Sequence, residues 1–425
     1  MISAMMQPVH VFGWLVVLYS SLPLLLSLRF LRGSHLGLGF FLVVGAHHFV
    51  AIVNTFVMTL PDAGGDAERF HGRALQIARG LRELEFVTGS EGYDNFLGLI
   101  YTTFGSSRFL GSEVSIFAFM LSCILFIKLM DTLGIEYRLG TFLVSGLLPT
   151  LLIHTSNTMR EAWEILFFMA VIYFGLRYHI HRQWRYIFYS VFAGMLLGML
   201  HAGLAVVVLF SLPIILFWPI GHRSWARAFM TRPKAIFACC MLVMAVSVGL
   251  AEKANLGYVG SLLQGEILHE ATGNRDNRMN TGARTNVEAD LETDTVHGFS
   301  GSIGIIFIHY MLEPFPWRVQ NALDVYAACE GYWRVLLLLC SVLAIRRAQG
   351  PMRQIMELLL LLYITMSVMW AVGTVNYGSA LRHHVVGYWI IVLLGFPEFM
   401  RRMRVFLFML ISRQRQLSFS IIERS

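Results

Sequence analysis

Arginines, carboxylates and histidines cluster where this chain's apolar runs end, the position from which side chains can work at a membrane surface. Asp62, Asp66, Arg69, His71 and Arg73 follow one run; Thr158, Arg160, Glu161 and Glu164 precede another; His201 interrupts a third. His309, Glu313, Trp317 and Arg318 form a further group, and Asn376, Tyr377, Arg382, His383 and His384 precede the last run. They come from separate segments, and one outward-facing cavity could gather them. Ionisable groups in or beside membrane spans are costly to place and usually face a bundle interior where they act. The chemistry this set suits is transfer of a sugar from a lipid phosphate. Guanidinium groups hold phosphate oxygens through paired, permanently charged hydrogen bonds. A carboxylate or imidazole can take the proton of the attacking hydroxyl.

In that scheme Asp62, Asp66 or a histidine, His201 among them, activates the acceptor. Arg69, His71, Arg73, Arg160, Glu161, Arg318, Tyr377, Arg382 and His383 are the candidate substrate-binding residues. No metal cage is expected, because Asp62 with Asp66 and His383 with His384 lack a third ligand at suitable spacing. No cofactor is called for either. Plainer readings stand beside these: Asp62 after Pro61 as a helix cap, Arg160 with Glu161 as an interfacial salt pair, His201 as a solvated turn residue, and Arg382 reaching to lipid headgroups.

The elements that must position these residues belong in lipid. The 425 residues are 56% hydrophobic and only 14% charged, with mean hydropathy +0.62, which is too apolar for a soluble protein of this length. The expected fold is all-α and polytopic, a single integral membrane domain with about eleven spans of near 20 residues. They are read at 11–30, 36–60, 114–130, 139–154, 162–178, 187–200, 203–220, 235–251, 332–345, 355–373 and 385–400. The run 187–220 reads as a tight hairpin turning near His201 and Gly203. The first run has no basic segment before it and is expected to stay as a spanning helix. Cys123, Cys239, Cys240 and Cys340 sit in apolar runs and only Cys329 lies near a polar loop, so no disulfide framework is expected.

Orientation follows from the short basic connections, which mark the cytoplasmic side. They hold Arg29 and Arg32; Lys128 and Arg138; Arg177, Arg182 and Arg185; Arg223, Arg227, Arg232 and Lys234; Arg346, Arg347 and Arg353; and the tail from Arg401. The N-terminus is then outside and the C-terminus inside. The loop 61–113 and the region 252–330, which includes the polar loop 252–300, fall on the outer face. The net charge of +7 follows from this topology and gives no ground for a nucleic-acid partner. Within 252–330, the apolar segment 299–312 is expected to be re-entrant, since both its flanks face outside. In 61–113, Phe70, Ala74, Ile77, Leu81 and Leu84 recur at steps of three and four from Asp66 onward. This predicts an amphipathic helix lying in the outer interface plane, with packing on the other outer loop as the plainer reading.

The order of these pieces resembles two groups of membrane enzymes. The outer loop with Asp62 and Asp66, then Tyr93 to Gly111 leading into a span, then Pro149 to Tyr178 with Ser156, Arg160 and Glu161, looks like the C-fold (GT-C) membrane glycosyltransferases that use polyprenyl-linked sugars. Met159 to Pro213, with Arg160 before a span and Leu200-His201-Ala202-Gly203 in a later one, is similar to the Wzy and EpsG-like polysaccharide polymerases. Asn376, Tyr377 and Arg382 before the last span add to that likeness. The first outer loop follows the second span here, whereas in the C-fold family it follows the first, which favours the polymerase.

The resemblance implies a metal-independent, inverting glycosyltransferase at the periplasmic face of a bacterial inner membrane. Its substrate would be an undecaprenyl-diphosphate-linked repeat unit of an exopolysaccharide or O-antigen, and its partners membrane lipids and other polysaccharide-assembly proteins. A C-fold monosaccharide transferase is the alternative within the class. A secondary transporter or lipid flippase is the alternative outside it, opposed by the lack of a clear inverted repeat. Single cysteines introduced at Gly65 and Thr281, in a variant lacking the native cysteines, should label from outside, and those at Arg182 and Arg227 only after permeabilisation. Labelling of Gly65 and Arg227 from the same side would break the assignment of the outer face.

Overall fold

In lipid every backbone N–H and C=O must find an internal partner, which leaves helices as the means for this chain to cross. A computed structural model describes residues 5–27, 35–60, 63–85, 89–221, 285–286 and 296–422. Among these residues the chain is helical, with one isolated β-bridge between Asn286 and Asn376. Helices α1 (Val11–Ser27) and α2 (Leu36–Ile52) lead to two shorter helices, α3 (Asp66–Ala78) and α4 (Ser90–Phe104). Then come α5 (Arg108–Thr132), α6 (Arg138–Leu147), α7 (Pro149–Thr155), α8 (Glu161–His181), α9 (Trp184–Leu200) and α10 (Ala202–Phe217). The C-terminal part holds α11 (Val296–Leu312), α12 (Ala322–Arg347), α13 (Gly350–Gly373) and α14 (Tyr377–Ile422).

Among the described residues, six helices are long and apolar enough to cross a membrane: Leu36–Val57, Arg108–Thr132, Glu161–His181, Ala322–Arg347, Gly350–Gly373 and Tyr377–Ser412. The count of eleven is not reached among the described residues. The expected spans at 11–30, 187–200 and 203–220 form helices of 17, 17 and 16 residues. The one expected at 139–154 is split into α6 and α7 at Pro149, which has no N–H to continue the helical ladder. The one expected at 235–251 lies outside the described residues. The hairpin predicted at His201 is present: Gly198 faces Ala205 and Gly194 faces Val208, a pairing symmetric about residue 201 that only antiparallel helices give. Small residues at such contacts let the backbones approach.

The expected amphipathic helix forms, and its apolar face packs on protein. Ala67, Phe70, Ala74 and Ile77 of α3 are buried, with α4 as the main neighbour. Phe70 stands edge-on to Tyr93 at 5.1 Å, and a Cβ on Gly98 would fall 2.8 Å from the Ile77 side chain. Residues 90–104 make a second short amphipathic helix, closed at both ends by Gly89 and Gly105 at positive φ, and each apolar stripe covers the other. Leu81 and Leu84 lie past the end of α3 and are exposed.

The membrane core centres on α8 and α14. Helix α8 packs on α5, α9, α10 and α14, and α14 also packs on α6, α7, α12 and α13. On α14, the missing side chain of Gly395 admits the Leu337 carbonyl, which lies 2.2 Å from where a Cβ would stand. Helix α11, which carries the expected re-entrant segment, ends beside the middle of α12, with Leu312 against Gly331.

Candidate active site

The site is built around a stretch of non-helical backbone that the fold keeps buried. Helix α7 ends at Thr155, and residues 156–160 cross the interior without helical bonding before α8 begins at Glu161. Buried backbone of this kind needs partners from elsewhere. The Met159 carbonyl accepts hydrogen bonds from the Tyr93 hydroxyl and the Ser115 hydroxyl, each at 3.0 Å. The Thr158 hydroxyl donates to the Ala67 carbonyl at 2.6 Å, and the Met159 N–H donates to Asn157 Oδ1 at 3.0 Å. Helices α3, α4 and α5 thus hold the loop, which delivers Arg160 and Glu161 to the start of α8.

Three arginines and three carboxylates meet there. Arg160 Nε lies 2.9 Å from Glu164 Oε1, and its Nη1 donates to the Leu200 carbonyl at 3.0 Å. Arg382, from α14, places Nε 2.9 Å from Glu161 Oε1 and bonds through Nη1 to Asp66 Oδ2. The other oxygen of Asp66 is 3.1 Å from Arg69 Nη2. The Leu200 carbonyl leads directly to His201, whose ring stands edge-on to Trp370 at 4.9 Å. Trp370 in turn stacks on His383 at 4.0 Å, and His383 Nδ1 lies 2.8 Å from the Thr374 hydroxyl. Asp66, Arg69, Arg160, Glu161, His201, Arg382 and His383 therefore come together.

Proton chemistry separates these groups. Burial alone would raise the Asp66 carboxyl, but Arg382, with Arg69 and Arg160 behind it, holds it below the ordinary value. Asp66 is therefore a carboxylate at neutral pH and a weak proton acceptor. His201 is held well below the usual imidazole range by burial and then by Arg160, His383 and Arg382. Its Nδ1 accepts the Gly203 N–H at 3.1 Å, so the neutral ring carries its hydrogen on Nε2 and presents a donor. Several buried polar atoms in this region have no hydrogen-bond partner in the protein: Glu161 Oε2, both nitrogens of His154, Ser156 Oγ, Asn157 Nδ2 and Trp370 Nε1. His154, Asn157 and Trp370 were not picked out from sequence; the available signal was Pro149, which breaks an apolar run a few residues before His154.

Four expected site residues lie elsewhere. His71 Nδ1 is 2.9 Å from the Tyr101 hydroxyl, and Arg73 pairs with Asp94 at 3.2 Å, so both tie α3 to α4. Arg318 pairs with Glu313 at 2.8 Å and donates to the Asn286 carbonyl at 2.9 Å. Tyr377 donates its hydroxyl to Asp324 at 2.8 Å and its N–H to the Thr285 carbonyl at 3.2 Å. Arg318 and Tyr377 belong to a second polar group, joined through Thr285 and Asn286. Asp62 lies outside the described residues.

The chain matches no family model, no curated protein and no solved structure. What the site can do is read from its side chains alone.

The Asp66 ion pairs have a signature in stability. A carboxyl depressed in the folded state stabilises fully above its unfolded value, about 3.9, and loses that contribution as pH falls through the folded value. Asp66→Asn should lower the melting temperature at pH 7 by on the order of 2 °C, with the gap closing as pH falls below about 4. A gap unchanged in acid would show that the pairs contribute nothing.

Proposed function

We propose that this protein is a membrane glycosyltransferase working at the outer face of a bacterial inner membrane, a Wzy-like polymerase of undecaprenyl-diphosphate-linked repeat units. The observation that carries this reading is the meeting of Arg69, Arg160 and Arg382 at the N-terminus of α8, beside a Glu161 oxygen with no partner. A diphosphate suits that place. Its oxygens can take over guanidinium forks now shared with Asp66, Glu161 and Glu164, and the α8 dipole favours negative charge at its start. The same contacts strengthen as the sugar departs and charge grows on the leaving phosphate, which is where transition-state stabilisation counts. Arg69 is the most exposed of the three arginines and sits on the outer hairpin, where a headgroup arrives first.

Glu161 Oε2 is the proton acceptor in this scheme, in place of Asp66 and His201. Asp66 orients Arg382, and His201 donates from Nε2 to a substrate oxygen. A second reading has one observation in its favour. Broken helices followed by buried irregular backbone also form the binding sites of secondary transporters, and α6, α7 and residues 156–160 have that form.

Reconstitution in liposomes with a polyprenyl-diphosphate-linked oligosaccharide separates the two. Wild type should build a ladder of polymers. Arg160→Lys and Arg382→Lys should each slow it roughly 10- to 100-fold, because a point charge does not replace the fork. Glu161→Gln should bind donor yet lose about 10²-fold or more in transfer. Full activity in the Lys variants would make the arginines architectural, and movement of the oligosaccharide without polymer would favour transport.

A further inference from the structure

Helix α14 runs on past the point where the bundle stops covering it. At 1.5 Å per residue, Arg401 lies about 29 Å along this helix from Arg382, close to the thickness of a hydrocarbon core. With Arg382 at one interface, Arg401 stands at the other. Positive charge collects there. Glu398, also on α14, pairs with Arg347 from the end of α12 at 3.5 Å, with Arg402 at 2.9 Å and with Arg401. Three arginines on one carboxylate leave positive charge in excess, and Arg404, which is exposed, adds to it.

Beyond this cluster the helix turns apolar on every side. All seven residues from Val405 to Ile411 are apolar, and they fill about two helical turns, so no face among them is polar. Each is 48–73% exposed, whereas Ile390 to Leu394 on the same helix are at most 2% exposed. Tyr377–Ser412 has 36 residues and is about 54 Å long, too long for a core of about 30 Å even at a tilt of about 40°. Carried straight on, Val405–Ile411 would stand in water. A helix that is apolar all round has to be covered all round. Another helix covers one seam, as in a coiled coil; lipid covers every side. The charges name the lipid. From Phe399 to Ile422 the sequence holds five arginines and no acidic residue, and they flank the apolar stretch, from where such side chains reach up to headgroups. Pro397, inside the helix just before the cluster, gives it a place to bend.

We infer that the end of α14 binds anionic phospholipid in the leaflet opposite the Arg382 site. Val405–Ile411 lies among the first acyl carbons, and the flanking arginines, Arg404 among them, hold lipid phosphates. This inference stands whether or not the protein is a glycosyltransferase.

The test is spin-label accessibility on the full-length protein in nanodiscs, with the label on Phe408→Cys in a variant lacking the native cysteines. In phosphatidylcholine containing phosphatidylglycerol, the label should collide with oxygen and be shielded from a water-soluble nickel chelate. In phosphatidylcholine alone, or in Arg404→Gln, the ratio of shielded to free label should fall about fivefold or more. Unlabelled wild type in the mixed lipid should also retain more phosphatidylglycerol in native mass spectrometry than Arg404→Gln does. A label open to the nickel chelate in the mixed lipid would overturn the inference. So would a label shielded from both reagents, which would mean that protein, a second copy or another part of this chain, covers the segment. Equal shielding in both lipids and in Arg404→Gln would leave apolar insertion with no preference for anionic lipid, and would overturn it as well.

Discussion

Arg382 is the side chain on which the seating of α3 against the helix bundle depends. A guanidinium that is largely removed from water must be neutralised, and its two anionic partners come from different parts of the chain: Asp66 opens α3, and Glu161 opens the central helix α8. Removing Arg382 would leave both carboxylates without their shared cation, whereas losing Asp66 alone leaves Arg382 paired with Glu161. One residue of α14 therefore ties the α3–α4 hairpin to the bundle, together with the Thr158–Ala67 and Tyr93–Met159 hydrogen bonds. Arg160, one residue before Glu161, also joins two elements, bonding Glu164 on α8 and the Leu200 carbonyl at the end of α9.

The same economy governs the polar groups deeper in the protein. Wherever helical bonding stops inside the bundle, a side chain from another element takes its place. Tyr93 and Ser115 serve the carbonyl of Met159; Glu330 serves the start of α7; Arg334 serves the end of α11. Such supports come from rigid helices, so the groups they position are held before any substrate arrives. A site organised in this way needs little rearrangement to stabilise new negative charge. Its balance of three arginines against three carboxylates lets the cluster remain buried.

Much of this was legible in the sequence, and what was not has physical causes. The helical membrane fold, the His201 hairpin and the joining of Asp66, Arg160, Glu161 and Arg382 follow from apolar run lengths and from charges at their ends. The packing of α3 on α4 was hidden because a stripe such as Phe70, Ala74 and Ile77 reports that something covers it, not whether that is lipid or protein. The split at Pro149 was hidden because proline is tolerated in membrane helices when neighbours satisfy the freed groups, so the residue alone does not say whether a helix breaks. Glu330 and Arg334 lie at the start of an apolar run, where they read as flanking charges. Only the length of α12 shows them to be half-way along a span. His71, Arg73, Arg318 and Tyr377 have the residue types of a site and lie at similar positions along the chain, but local pairs with Tyr101, Asp94, Glu313 and Asp324 occupy them.

The central claim is that the arginines at the start of α8 and on α14 hold a polyprenyl-linked diphosphate. Native mass spectrometry of the protein released from its own membranes measures this directly, by comparing wild type with the Arg160→Lys, Arg382→Lys double variant. The account predicts a bound species in the wild type with the mass of a polyprenyl-diphosphate glycan, and its loss from the variant with bulk phospholipid retained. Wild-type protein carrying phospholipid alone, or a variant carrying as much of the glycan lipid as wild type, would contradict it.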